Sequence, residues 1–277
     1  MYYVHAKYIW YTLLVKYFPS ILFAANVEDD MSDGPPSGLE RLWRREDFDR
    51  KPRLGLSLER VVASAIELAD GEGLGAVSMK RVAERLGFTT MSLYRYVASK
   101  DDLLLLMHDS CWQPPPGLDI PLDGWRSSLE RWTREQHAIM QCHPWLEQVR
   151  HIERAGTPSQ LAWMDLGLRA LAGTPLTEHQ KTAILLVLSG YVSSQALQAG
   201  AVADGARQGL FQAGDSTAAF GQLLRELAVD ERFPALYHAV EGGAFAPSDG
   251  DAFTDFGFGL DLLLDGIDRL IARQAER

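Results

Sequence analysis

Residues 57–102 carry a series of short helical patterns separated by glycine and serine signals, and this spacing constrains the fold more than any other feature. In the first pattern, apolar residues from Leu58 to Ala69 recur at the i, i+3, i+4, i+7 spacing of one helical face. Ser57 is suited to cap that helix, and the glycines between positions 71 and 75 end it. A second helix is predicted over about Ser78–Leu86, followed by a tight turn at Gly87.

Two further helices complete the series. A third begins at Thr89 or Thr90 and turns Leu93 toward the core. A fourth begins at Ser99, the first residue of a Ser-x-x-Asp capping pattern, and runs to the proline-rich break at 114–117. Two short helices joined by a glycine turn and braced by a longer helix predict a helix-turn-helix unit.

Charge is distributed unevenly along the 277 residues. The whole chain has a formal net charge of −10, yet residues 41–100 carry 12 basic and 8 acidic side chains. A basic segment followed by an acidic body suggests an anion-binding module joined to a module of a different purpose. The two cysteines exclude a disulfide framework and favour a reducing cytoplasm, and a hydrophobic fraction of 47% excludes wholesale disorder.

The first 53 residues form a separate extension. Residues 8–25 are apolar and aromatic, but Lys16 and Pro19 interrupt them, so they meet the criteria of neither a membrane span nor a signal peptide well. The interpretation favoured here is that Met31 is the biological start and that the preceding residues are a gene-calling artefact. Residues 41–53 are predicted to be a basic arm or a solvated tail.

The acidic body is predicted to be helical throughout. It shows no strand alternation, and Thr157 and Thr177 each begin a helix-capping pattern. Two glycine-rich loops are predicted at 199–215 and 241–250. One helix is predicted to follow Thr157 and another to follow Thr177. The other helices of this all-α prediction are Gly124–Gln141, Ser216–Val229 and Asp251–Arg273.

The stretch that reads Leu-Tyr-Arg-Tyr-Val at positions 93–97, followed by Lys100 and by Asp-Leu-Leu at 102–104, resembles the DNA-binding domain of the TetR family of bacterial transcriptional regulators. The C-terminal region is similar to the branch related to the tetracycline repressor. The resemblance implies an N-terminal helix-turn-helix domain at 54–113 and a larger helical ligand-binding and dimerisation domain at 118–277.

The resemblance also implies which residues contact DNA. Thr90, Met91 and Arg95 would face base edges, while the hydroxyls of Tyr94 and Tyr96 would position the backbone. Phosphate contacts would come from basic side chains and helix N-termini. The alternative for Tyr94 is a half-buried ring that closes the helix core. Arg81 and Arg85 either contact DNA or are solvated. The complete set is Ser78, Lys80, Thr89, Thr90, Met91, Tyr94, Arg95, Tyr96 and Lys100.

A ligand cavity is expected between the helices of the body. Each residue proposed to line it has core packing as the alternative interpretation. A metal site at His137, Cys142 and His143 is not expected because the ligand spacing is wrong for zinc, and no cofactor is expected. The candidates are Trp132, His137, Trp145, Trp163 and Met164.

Together these features predict a ligand-responsive repressor that binds a pseudo-palindromic operator as a homodimer. The family implies that helices at about 177–199 and 251–273 pair across a two-fold axis. The partners would be double-stranded DNA, a small-molecule effector and a second copy of the chain, in the cytoplasm. The alternatives are an all-helical enzyme, for which no catalytic motif is visible, and a membrane-tethered sensor that uses residues 1–25.

Overall fold

The computed structural model describes residues 42–43, 55–118, 120, 124–207, 224, 232–244 and 256–276. Within these ranges the regular secondary structure is helical, which confirms the all-α prediction. The predicted extension at 1–53 and the predicted helix Ser216–Val229 lie almost wholly outside the described residues.

Helix α1 (Leu58–Glu72) begins and ends where the sequence predicts. Ser57 Oγ accepts a hydrogen bond from the Arg60 amide at 3.3 Å, which caps the N-terminus. Gly73 ends the helix at φ 82°, a conformation that glycine adopts without strain. A short 3₁₀ turn (Leu74–Ala76) then leads into the next helix.

Helices α2 (Met79–Leu86) and α3 (Thr90–Leu93) form the predicted helix-turn-helix. Gly87, in the left-handed conformation at φ 75°, makes the turn between them. Helix α3 is a single turn, shorter than its pattern suggested, and Leu93 and Val97, both 0% exposed, anchor this segment in the core.

Helix α4 (Lys100–Cys111) begins at the predicted Ser99 cap, whose Oγ accepts from the Asp102 amide at 3.0 Å. Every residue from Leu103 to Asp109 is buried, so for nearly two turns this helix has no solvent face. It packs against α1 on one side and against the body of the protein on the other. Helix α4 therefore joins the N-terminal helices to the rest of the chain.

The body consists of long helices with one 3₁₀ segment. Both predicted capping patterns are present: at Thr157 and Thr177 the hydroxyl and a glutamine side chain three residues later cap each other's amides. The elements are α5 (Trp125–Cys142), the 3₁₀ segment Pro144–Ala155, α6 (Pro158–Ala170), α7 (Glu178–Arg207), α8 (Pro234–Glu241) and α9 (Phe256–Ala275).

Helix α7 packs against α5, α6 and α9 at the centre of the body. Two glycines allow the close approaches. A Cβ at Gly167 of α6 would meet the Leu185 side chain at 2.6 Å, and a Cβ at Gly259 of α9 would clash with the Tyr191 ring. These two positions bring the neighbouring helices against α7.

The predicted loop at 199–215 is wrong for residues 199–207, because α7 continues without interruption to Arg207. Two isolated glycines, Gly200 and Gly205, lie in this part of the helix. A single glycine in a helix costs only about 1 kcal/mol relative to alanine, so the surrounding helix formers outweigh it. Residues 208–215 lie outside the described part of the chain.

Candidate nucleic-acid interface and ligand-binding region

The N-terminal helices expose one cluster of large side chains at α3 and the turn that follows. Met91 is 75% exposed and Tyr94 is 47% exposed, and Arg95 is exposed beside them. Thr90, on the same short helix, is half-buried. Met91 therefore contributes nothing to the core, and it forms an exposed surface together with Tyr94 and Arg95.

Thr89 and Ser78 are helix caps. Thr89 Oγ1 accepts from the Ser92 amide at 3.3 Å and lies 3.0 Å from Ser92 Oγ, while Ser78 Oγ accepts from the Arg81 amide at 3.2 Å. Both hydroxyls therefore orient the first turns of α2 and α3. The other amides of those first turns have no partner within their own helix, and they point outward from the helix N-termini.

Tyr96 has a different position from its neighbours. Its hydroxyl donates a hydrogen bond to the Leu56 carbonyl at 3.0 Å, and its ring is half-buried against the core. This bond ties the end of the helix-turn-helix to the chain just before α1. The geometry favours a structural role for this hydroxyl over the predicted contact with a DNA backbone.

The basic side chains fall into two groups. Lys80 and Lys100 are exposed, and Lys80 Nζ makes only a long, 3.8 Å ion pair with Glu84 on the same helix. The two arginines of α2 are instead bound to acidic residues of α1: Arg81 pairs with Glu72 at 2.8 Å, and Arg85 pairs with Glu67 at 2.9 Å. Of the two interpretations left open for these arginines, the geometry favours bracing of α2 against α1.

Two of the predicted ligand-contacting tryptophans belong to a chain of hydrogen bonds inside the body. Trp132 Nε1 donates to the Trp163 carbonyl at 2.8 Å, and Trp163 Nε1 donates to the Trp112 carbonyl at 2.7 Å. Trp132 and Trp163 are buried, and their rings meet edge to face at 6.2 Å. These bonds connect α5 to α6 and α6 to the end of α4, so the two rings act as core residues.

Trp145 is also buried, at 2% exposure, and it bonds to the N-terminal helices. Its Nε1 donates to Asp70 Oδ1 at 2.7 Å, and His143 Nδ1 donates to the same oxygen at 2.8 Å. The sequence analysis missed Asp70, because 73 residues separate it from His143 and no local pattern links them. The only signal was its place in the last turn of a predicted helix.

His137 lies against an aromatic column. Its ring stacks on Phe256 with centroids 3.8 Å apart and planes 5° apart, and Phe256 in turn stacks on Tyr191. Burial lowers the pKa of the imidazole below its ordinary value, and the positive charge of Arg134 lowers that pKa further. The lowered pKa favours the neutral form of the His137 imidazole. His137 and Met164 are half-buried and keep some accessible surface.

The cysteines have contrasting surroundings. Burial, with a smaller contribution from the negative charge of Asp70, raises the pKa of the Cys111 thiol to about 12, while Cys142 is exposed. In the part of the chain that the structure describes, no three His, Cys, Asp or Glu side chains are grouped closely enough to hold a metal ion.

Met91, Tyr94 and Arg95 form the exposed surface that we call the reading surface. A capped helix pair that carries such a surface, joined through a buried helix to a larger helical body, defines the class of helix-turn-helix transcriptional regulators. The family model "Bacterial regulatory proteins, tetR family" matches residues 61–107, and "Tetracyclin repressor-like, C-terminal domain" matches residues 118–271. The chain belongs to the TetR family, as its resemblance implied. The prediction of a ligand-responsive DNA-binding repressor is confirmed at the level of this family.

Individual relatives agree with this assignment. The HTH-type transcriptional repressor DrrR1 of Streptomyces coeruleorubidus is 36% identical over 260 residues, covering 91% of this chain and 92% of the relative. The tetracycline repressor protein class E of Escherichia coli is 23% identical over 145 residues, which span 52% of this chain and 68% of that protein. ActR of Streptomyces coelicolor, solved in complex with actinorhodin, superposes with a TM-score of 0.63 at 25% identity, covering 77% of this chain and 96% of that one.

Proposed function

We propose that the chain represses transcription as a homodimer that binds a pseudo-palindromic operator and is released by a small-molecule effector. The observation that carries this proposal is the reading surface: Met91, Tyr94 and Arg95 project from α3 and the turn that follows, a segment that the fully buried Leu93 and Val97 hold in place. Recognition in a major groove requires a firmly held segment whose exposed polar and apolar side chains reach the base edges.

Base contacts in this proposal come from Thr90, Met91 and Arg95. The guanidinium of Arg95 is suited to guanine, the hydroxyl of Thr90 to either base type, and the side chain of Met91 to a thymine methyl group. Phosphate contacts come from Lys80, Lys100 and the outward amides at the starts of α2 and α3. The 3.8 Å pair between Lys80 and Glu84 is weak enough for a phosphate to displace the carboxylate.

The dimer would form through helices α7 and α9. Glu178–Gly200 of α7 is long and apolar enough to cross a membrane, yet only 22% of its most apolar window is buried within the protomer. A second copy that covered the exposed apolar side chains would bury this helix as the core helices of soluble proteins are buried. The side chains that a second copy would cover are Leu186, Val187 and Leu197 of α7 and Phe258 and Leu262 of α9.

The effector would bind among the helices of the body. Because Trp132, Trp145 and Trp163 are buried and their indole N–H groups are bonded within the protein, His137 and Met164 are the stronger candidates for direct contact. The structure of ActR with actinorhodin supports a small-molecule effector for a protein of this fold. An effector that prefers one arrangement of the two reading surfaces would lower the affinity for DNA by shifting the population of states.

We assign the chain no catalytic activity and place its action in the cytoplasm, where a bacterial regulator meets its operator. Membership of a family of transcriptional regulators supports both statements. An all-helical enzyme would keep its turnover when the exposed side chains of α3 are mutated. A regulator would lose its DNA binding in the same variants.

The first test is a gel shift of the full chain on the DNA upstream of its own gene, over a series of salt concentrations. We expect tight binding to one palindromic fragment, with an affinity that falls steeply as salt rises. An unrelated fragment of equal length is the control. Equal binding to both fragments at every salt concentration, followed by failure of a genome-wide fragment selection, would overturn the proposal.

Sedimentation tests the dimer separately. Leu262→Glu places a charge on the apolar surface of α9 and should convert the dimer to a monomer. Ala138→Glu, at an exposed position on α5, adds the same charge elsewhere and should leave the mass unchanged. A wild-type chain that sediments as a monomer at micromolar concentration would refute the dimer.

A further inference from the structure

We propose that Asp70 orients the N-terminal helices against the body and thereby sets the spacing between operator half-sites that the dimer accepts. This inference rests on the proposed function, because it assumes two reading surfaces related by a two-fold axis. The contact that carries it joins one carboxylate oxygen of α1 to two donors of the body. We call Asp70, His143 and Trp145 the junction triad.

The junction triad has a definite geometry. Asp70 Oδ1 accepts from Trp145 Nε1 at 2.7 Å and from His143 Nδ1 at 2.8 Å, and the two rings meet edge to face. Trp145 is buried at 2% exposure and lies in the 3₁₀ segment that follows α5. An indole N–H at that depth needs a partner, and Asp70 supplies it from the other side of the junction.

A second connection lies at the end of α4. The Ser159 amide, in the first turn of α6, donates to Asp109 Oδ1 at 3.0 Å, and Trp163 Nε1 donates to the Trp112 carbonyl. These bonds fix the end of α4 against α6. Asp70 is on a different helix, α1, so its bonds attach the N-terminal helices to the body at a second point. Together the two connections specify one orientation.

The junction triad is also suited to open without unfolding the core. The side chains of Asp70 and His143 keep 32% and 24% of their surface exposed, in contrast to the fully buried stretch of α4. Water can replace the carboxylate on His143 at little cost. Loss of the contact would leave the indole N–H of Trp145 without this acceptor, so the closed arrangement is favoured.

In a two-fold dimer, the orientation of each N-terminal unit determines the distance between the two reading surfaces. If each N-terminal unit tilts about its junction, the two-fold axis applies the same tilt to the other unit, and the distance between the reading surfaces changes by twice the single displacement. Successive base pairs are about 3.4 Å apart, so small tilts decide which half-site spacing fits. A loosened junction would let the dimer fit several spacings.

The test measures binding to a series of operators. The fragment that the wild-type full chain selects is made with the native spacing and with one base pair inserted or deleted between the half-sites. We expect the wild-type chain to bind the native spacing best. Trp145→Phe, which removes the N–H donor but keeps an aromatic ring in the buried site, and Asp70→Ala should shrink that preference by about 2- to 30-fold, the range of coupling changes that single mutations produce.

Glu59→Gln is the matched control. Glu59→Gln, like Asp70→Ala, removes one negative charge from an exposed position on α1. A gain in affinity that comes only from reduced repulsion of DNA should therefore appear in both of these variants. Because Trp145→Phe breaks one of the two hydrogen bonds that Asp70→Ala breaks, the double variant should show the preference of Asp70→Ala alone.

The outcomes separate the two proposals. If the wild-type chain selects no fragment, the proposed function fails. If it binds one spacing strongly and the folded Trp145→Phe variant keeps the full preference, the role of the junction triad is refuted while the proposed function stands. Should Asp70→Ala fail to fold, Trp145→Phe still decides the question, because it retains the buried ring.

Discussion

Helices begin at local caps in both parts of the molecule, but the contacts that join the helices differ. In α1 to α4, serine and threonine hydroxyls cap amides three residues away, and the helices are joined by exposed ion pairs and by the hydrogen bond from Tyr96 to Leu56. In the body, indole N–H groups reach carbonyls that are 31 and 51 residues away. The reading surface is therefore built from local signals on a small core, and the ligand-binding region depends on contacts between distant segments.

The largest effect is expected from Trp132→Ala. This variant empties a fully packed site and leaves the Trp163 carbonyl without its donor, so it should lower the free energy of unfolding by about 3–5 kcal/mol. Urea denaturation followed by circular dichroism measures the loss. Trp132→Phe should lose less, because most of the ring volume remains. A loss below about 1 kcal/mol for the alanine variant would contradict the buried position.

Arg95→Ala should leave stability unchanged and weaken binding to the operator by about 1–3 kcal/mol, because the side chain is exposed and makes no core contact. Lys100→Ala should weaken binding about equally on all sequences and reduce the salt slope by about 1. Isothermal titration and a thermal melt of each variant distinguish the two effects. If both variants bind like the wild type, the reading surface has been assigned to the wrong helix.

Ser57→Ala tests the local contacts of the N-terminal helices. Loss of this cap should cost about 1 kcal/mol of stability, since the Arg60 amide loses its acceptor. Ser57→Asp restores an acceptor at the same position and is the control. An unchanged melting temperature for the alanine variant would mean that tertiary packing, and not the cap, fixes the start of α1.

The smallest effect concerns pH. Because the pKa of His137 is lowered in the folded protein, the unfolded chain binds more protons, and His137 destabilises the fold as the pH falls below about 6.5. His137→Phe keeps the stack on Phe256 and removes the titration. Denaturation at pH 7.5 and 5.5 should show a smaller loss for the variant than for the wild type. Equal losses would show that the imidazole does not contribute.

The sequence predicted the N-terminal helices well because their signals are local. Ser57, Ser78, Ser99 and the turn glycine Gly87 each mark a helix end through bonds within a few residues, and the structure confirms all four. The residues of the reading surface were implied by the resemblance to the TetR family, and the helical pattern itself predicted only that Leu93 and Val97 face inward.

The body was harder to predict because its decisive contacts are not local. Tryptophans commonly line aromatic ligand pockets, which is why Trp132, Trp145 and Trp163 were predicted to do so. In the structure they are buried in the core, and their hydrogen-bond acceptors lie on other elements. The extension of α7 to Arg207 was missed because glycines usually signal loops, whereas here the rest of the helix outweighs them. Asp70 carries no signal beyond its place in the last turn of a predicted helix until the fold brings it to Trp145.

The junction between the two parts limits how the protein can be re-engineered. A chimera that exchanged everything before the proline break at 114–116 would bring foreign side chains to positions 70 and 109, and the Trp145 indole and the Ser159 amide would then lose their acceptors. A crossover that replaces only the stretch from Ser78 to Val97 leaves both junctions intact. The modular unit for retargeting this regulator to a new operator is therefore about twenty residues long, smaller than the DNA-binding domain that contains it.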